Sequence, residues 1–144
     1  MFNSTTDPKI DQLAAVPLFS RCSKKELKEL AQLCDEIEVP AGKVIFIQGS
    51  TSFDCYIIET GQVKVEVDGV IVAELQAGSH FGEFAPIDKR PRSATVTTLT
   101  DCKLAILGTR EFGKALNDIP GLAMNLLATL TERVRKANLD VHTH

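Results

Sequence analysis

Gln62–Leu75 reads QVKVEVDGVIVAEL, two β-branched runs on either side of Asp68-Gly69. Asp-Gly between such runs signals a two-residue hairpin, because both central residues must take positive φ and these two do so at low cost. The stretch therefore predicts two antiparallel strands and sets the reading of its surroundings. Working outward, Asp35 to Leu107 keeps the same grain: EIEV, VIFI, CYIIE, SATVTTL and CKLAIL are short alternating or β-branched runs, each of strand length. Pro40-Ala41-Gly42, Gly49-Ser50, Thr60-Gly61 and Ala77-Gly78 punctuate them with turn-forming residues. Seven or eight short strands must close or stack to hide their edges, so the expected class is mainly β with flanking helices, built on an eight-stranded β-roll of the jelly-roll kind.

Outside that block the period becomes helical. Asp7 to Val16 has weak helical spacing and is broken by Pro17. SKKELKELAQLC carries a capping box, in which Ser23 and Glu26 satisfy each other's backbone amides, followed by an apolar stripe at Leu27, Leu30, Ala31 and Cys34. Gly108 to Leu116 and Pro120 to Asn138 read as two further helices, with Thr109 the expected N-cap of the first and Pro120 in the first turn of the second. In the last helix Ile119, Ala123, Leu126, Leu130, Val134 and Ala137 predict one apolar seam, while Glu132, Arg133, Arg135 and Lys136 face water. That seam would cover the roll's mouth or pair with a second chain, so a homodimer through this helix is one expectation. The layout is a single domain over 1–144, with N-terminal helices (1–34), a β-roll (35–107) and C-terminal helices (108–139).

Composition narrows the function. The chain has 144 residues, 44% hydrophobic and 24% charged, which suits an ordinary globular domain. No apolar run approaches the roughly 18 residues of a membrane span, and the start MFNSTTDPKIDQL lacks the features of a secretory signal. No membrane association and a cytoplasmic location are expected. A net charge of −3 argues against nucleic acid as a partner. Cys22, Cys34, Cys55 and Cys102 show no CxxC spacing and read as small buried hydrophobes, without metal or disulfide. His80 in a β-roll also raises a cupin-like metal enzyme, but such a site needs two or three histidines converging from neighbouring strands. His142 and His144 belong to the terminal tail.

The stretch FGEFAPIDKRPRSATV (Phe81–Val96) departs from the hairpin grain. An arginine just before a buried strand offers a planar fork of donors that matches two oxygens of a phosphate or carboxylate. Arg92 is in that position. Glycine at 82 lets backbone amides approach the same anion, and the Glu83 carboxylate accepts from a hydroxyl. Together they fit a ribose whose phosphate is tied back onto the sugar. The same two residues would also form a plain surface ion pair worth ~0–1 kcal/mol.

From about Val16 to Asn138 the chain resembles the cyclic nucleotide-binding domain family, which includes the sensor module of the catabolite activator protein. PLFSRCSKKELKEL is similar to the family's entry helices, GKVIFIQGS and YIIETGQVKV to its glycine-marked hairpins, and GSHFGEFAPIDKRPRSATV to its phosphate-binding cassette, here residues 80–94. Pro86 stands where the family usually has an aliphatic residue. The resemblance implies that Glu83 takes the ribose 2′-hydroxyl, Arg92 the phosphate, and the backbone amides at Gly82, Phe84 and Ala85 the phosphate or sugar. Ser93 would reach the phosphate by hydroxyl or amide, with Phe81 and Ala94 completing the ligand-binding set. Arg90 is read as a solvated charge that raises the local potential.

What the resemblance implies is a non-catalytic sensor without cofactor, whose ligand is cAMP, with cGMP the alternative because Ser93 could reach guanine. Binding would be signalled by movement of the C-terminal helices to an unidentified effector domain or partner protein. Two other readings stand beside it: the same fold turned to protein interaction after losing its ligand, and the cupin-like metal enzyme. Five residues follow Leu139, so a DNA reader, kinase or channel pore is not expected within this sequence, whether it is a fragment or a stand-alone sensor.

Overall fold

A computed structural model describes residues 8–82 and 89–142, apart from the side-chain surroundings of 8, 9 and 139–142. Helix α1 (Pro8–Ala14), a 3₁₀ turn (Pro17–Phe19) and α2 (Lys24–Leu33) precede eight strands. These are β1 (Asp35–Val39), β2 (Val44–Phe46), β3 (Cys55–Thr60), β4 (Gln62–Val67), β5 (Val70–Gln76), β6 (His80–Phe81), β7 (Thr95–Thr98) and β8 (Cys102–Leu107). Helices α3 (Thr109–Asp118) and α4 (Pro120–His142) follow. Two antiparallel four-stranded sheets result, ordered β1-β8-β3-β6 and β2-β7-β4-β5. This is the predicted β-roll with flanking helices.

Local chemistry accounts for the elements. Asp68 and Gly69 both take positive φ, 52° and 80°, so the β4–β5 hairpin turns where the Asp-Gly pair placed it. The capping box of α2 is present, with the Glu26 amide donating to Ser23 Oγ at 3.1 Å and the Ser23 amide to Glu26 Oε1 at 2.8 Å. Helix α3 differs from expectation. Its N-cap is Gly108, in extended conformation and without a side-chain cap, so Thr109 is the first helical residue instead.

The core lies in two layers that share β3 and β8. Cys55 and Ile57 of β3, with Ala105 and Leu107 of β8, face outward and pack with Phe19, Leu30 and Phe112 from the helical elements. Tyr56, Ile58 and Leu104 face inward with Phe46, Val63 and Val96. A strand buried on both faces must be apolar at successive positions, which explains the unbroken CYII. All four cysteines are free thiols, three buried and Cys22 half-buried. Burial, and then Glu26, push the Cys22 thiol up to about 11.

The predicted seam on α4 divides. Ile119 and Leu126 are buried as expected, joined by Leu122 and Asn125, but Leu130 and Val134 are exposed, with Met124 and Leu127 beside them. From residue 131 to 138 every side chain is exposed. The reason is geometric: the helical body packs against only the first half of α4, so the apolar period continues past its own support. Among the described residues no helix is long and apolar enough to cross a membrane.

Candidate functional site

A cavity of about 700 Å³ opens in the roll. Val65, Ala73 and Leu75 from the β4–β5 hairpin give it an apolar wall, and Phe46, Phe81 and Val96 lie deeper. Its charged lining among the described residues is cationic: Arg90, Arg92 and Arg133, with half-buried His80 and no aspartate or glutamate.

Arg92 is held from every side but one. Its backbone amide donates to the Ser50 carbonyl at 2.8 Å, and its carbonyl accepts from the Gly49 amide at 2.7 Å. These two bonds fix the residue three positions before β7 begins at Thr95. In the side chain, Nε donates to Ser52 Oγ at 3.2 Å and Nη2 to the Asp54 carbonyl at 2.7 Å. The guanidinium lies 4.0 Å from the Phe46 ring centroid, within cation–π range. Phe46, Tyr56 and Phe81 form the aromatic bed beneath it, with centroids 5.1–5.8 Å apart.

The remaining nitrogen, Nη1, is buried and has no hydrogen-bond partner among the described residues. Arg92 as a whole is 5% exposed. Burial pushes its pKa down, opposed by Tyr56 and Asp54, yet a guanidinium stays charged at any ordinary pH. A buried cation with an idle donor is costly unless an acceptor completes it. Gly82 shapes the space around that donor. Its φ is +77°, and a Cβ there would stand 2.6 Å from Nη1 and 3.0 Å from the Asp54 carbonyl. Only glycine fits this backbone without displacing the arginine.

Of the residues expected in the site, Phe81, Gly82, Arg92, Ser93 and Ala94 line this one cavity. Phe81 is buried, Ser93 exposed and Ala94 half-buried. Glu83, Phe84 and Ala85, together with Pro86, lie outside the described residues. Arg90 is exposed, as expected, and also lines the cavity. Arg133 is the main omission of the sequence reading, which gave it to solvent. It is exposed and yet reaches the cavity from α4, something no local pattern signals. Ser52 and Asp54 were likewise invisible as partners of Arg92, since they approach it across 38–40 residues of chain. Asn138 is exposed on α4, one turn before its end. Among the described residues no group of three or more His, Cys, Asp or Glu side chains is placed to hold a metal ion.

Fold and cavity thus define a β-roll whose internal cavity is lined by one buried arginine. The chain belongs to the cyclic nucleotide-binding domain family, whose model matches residues 36–118. It is 33% identical over 112 residues to a cAMP-dependent protein kinase regulatory subunit of Emericella nidulans, covering 76% of this chain and 27% of that protein. It is 36% identical over 121 residues to a cyclic nucleotide-gated potassium channel of Rhizobium etli, covering 84% of this chain and 34% of the channel. The chain therefore spans about a quarter to a third of these relatives. Among solved structures, the Thermus thermophilus catabolite activator protein superposes with a TM-score of 0.80 at 29% identity, over 88% of this chain and 62% of that one.

Proposed function

We propose that the chain is a non-catalytic regulatory sensor of a 3′,5′-cyclic nucleotide, with cAMP as its first ligand. The carrying observation is Arg92, buried at 5% exposure with Nη1 lacking a partner among the described residues. A cyclic phosphodiester brings the single negative charge and the paired oxygens that this donor fits. In this reading Arg92 takes the phosphate, Ser93 and the backbone beside Gly82 add donors to it, and Glu83 accepts from the ribose 2′-hydroxyl. Phe84 and Ala85 contribute backbone amides, while Phe81 and Ala94 border the sugar. The kinase regulatory subunit among the relatives, cAMP-dependent by name, supports cAMP over cGMP.

Signalling runs through α4 in this proposal. The first half of the helix is anchored by Ile119, Leu122 and Leu126, and by Asn125, whose Nδ2 donates to the Leu18 carbonyl at 2.8 Å. Its second half is exposed and carries Arg133 to the cavity. A ligand touching both the roll and that second half shifts the balance between two helix positions by its differential affinity for them. The exposed Leu127, Leu130 and Val134 give the same helix a face for a second copy or an effector protein, and the cytoplasm is the compartment proposed for it.

Calorimetry with cAMP and cGMP on the wild type and Arg92→Ala tests the reading. Loss of a charge-assisted phosphate contact costs ~1.5–3 kcal/mol, at least about tenfold in affinity. A wild type that binds neither nucleotide at millimolar concentration would leave the interaction-module alternative standing. Hydrogen exchange over residues 109–139 checks the signalling step, and an identical pattern with and without saturating nucleotide would refute it.

A further inference from the structure

Ser93 stands beside arginines and ahead of β7. Among the serines and threonines of the chain it alone has arginine both three positions and one position before it, in Arg90-Pro91-Arg92-Ser93. Lys89, Arg90, Pro91 and Ser93 are all exposed, and residues 89–94 form neither helix nor strand. Other hydroxyls near a cation are already engaged. Thr95, three residues after Arg92, is half-buried in β7 and accepts from the Gln48 amide at 2.9 Å. Ser52 accepts from Arg92 Nε at 3.2 Å, and Ser23 accepts from the Glu26 amide in its capping box. Ser93 also lines the cavity that holds Arg92.

We propose that Ser93 is a phosphorylation site for an arginine-directed serine kinase, and that phosphate at this position shuts off nucleotide binding. The second half of the inference rests on the cyclic-nucleotide reading above. Kinases of this class choose substrates by charge pattern, with carboxylates that pair with arginine, and exposed Arg90 supplies that partner from outside the buried part of the segment. In the transfer, Ser93 Oγ attacks the γ-phosphorus of a nucleoside triphosphate and the bond from that phosphorus to the β–γ bridging oxygen breaks. The nucleoside diphosphate leaves with the bonding electrons, and the hydroxyl proton passes to a carboxylate of the kinase. The product carries roughly −1.5 to −2 charge and three acceptor oxygens. It brings both to the cavity in which Arg92 keeps Nη1 buried and without a hydrogen-bond partner among the described residues. There the phosphate pairs with the arginine charge and repels the phosphate of an incoming ligand. The exclusion is mutual, because a nucleotide in the cavity covers Ser93.

The test uses the full chain in two forms, one treated with ATP and an arginine-directed serine kinase, the other made with phosphoserine encoded at position 93. Mass spectrometry should place a single phosphate on Ser93, with none taken up by Ser93→Ala. Arg90→Ala should slow the transfer at least about fivefold, the loss of one exposed charge-assisted contact, and saturating cAMP should slow it at least about tenfold by covering the hydroxyl. Calorimetry on the phosphoserine form should show cAMP weakened at least about thirtyfold, more than the roughly tenfold that follows from losing one charge-assisted contact, and phosphatase treatment should restore it, which separates blockade from misfolding. No phosphate on Ser93, a rate indifferent to Arg90, or cAMP binding unchanged by phosphoserine at 93 would each overturn the inference. The sensor reading is judged separately, by whether the unmodified wild type binds a cyclic nucleotide.

Discussion

Arg92 and Arg133 border one cavity on opposite terms. The first is fixed by two backbone bonds, two side-chain bonds and an aromatic ring. The second stands on eight consecutive exposed helical positions, 131–138. Rigid placement suits the part of a ligand that never varies, here an anionic group, because donors already in position lose little entropy on binding. Loose placement suits the part that varies or must report, since a segment with few packed contacts opens at low free-energy cost. On the proposed sensor reading, the floor supplies affinity and the rim supplies output.

The sharpest way to break that contrast is at the floor. Arg92→Met replaces a buried cation with an apolar chain of comparable length, and nucleotide affinity should fall at least about tenfold. Thermal unfolding of the unliganded protein should show a loss of no more than about 1–3 kcal/mol, since the Asp54 carbonyl loses its donor while the cost of burying the charge is relieved. A large loss of stability would mean that Arg92 is chiefly a structural strut. Gly82→Ala comes next. The new Cβ, 2.6 Å from Nη1 and at a positive φ, should cost roughly 1–3 kcal/mol of stability and weaken binding through the displaced guanidinium, as urea titration and calorimetry would read.

Smaller effects belong to the helix. Asn125→Ala leaves the buried Leu18 carbonyl without its partner and should destabilise the protein by ~1–3 kcal/mol. Faster hydrogen exchange at residues 17–19 and along the first half of α4 would locate the damage, and unchanged exchange there would deny the anchoring role. At the rim, Val134→Ser changes a side chain that is 58% exposed and should alter monomer stability by less than about 0.5 kcal/mol. A loss above 1 kcal/mol at low protein concentration would show the second half of α4 to be packed, which would erase the difference between the two ends.

Much of the fold was readable because its signals are local. Asp68-Gly69 announced its hairpin, the glycines at 42, 49, 61 and 78 all take positive φ in their turns, and Ser23 with Glu26 announced α2. The seam on α4 was misread for the opposite reason. Period alone tells which side chains share a face, but burial depends on where the neighbouring body stops, and that edge lies in residues far away in the chain. Thr109 lost the cap position to Gly108 because a cap residue and its neighbour differ by one backbone step that composition does not encode.

The sequence by itself determined the β-roll, its turns and the arginine suited to an anion, since hairpin chemistry, alternating burial and the guanidinium's permanent charge are properties of short segments. Tertiary structure alone decided that Ser52 and Asp54 would hold that arginine, that its Nη1 would lie buried beside Gly82 without a partner among the described residues, and that Arg133 would arrive at the same cavity from a helix. Those are meetings between distant parts of the chain, fixed by how the sheets and helices pack, and no stretch of residues carries them in its own pattern.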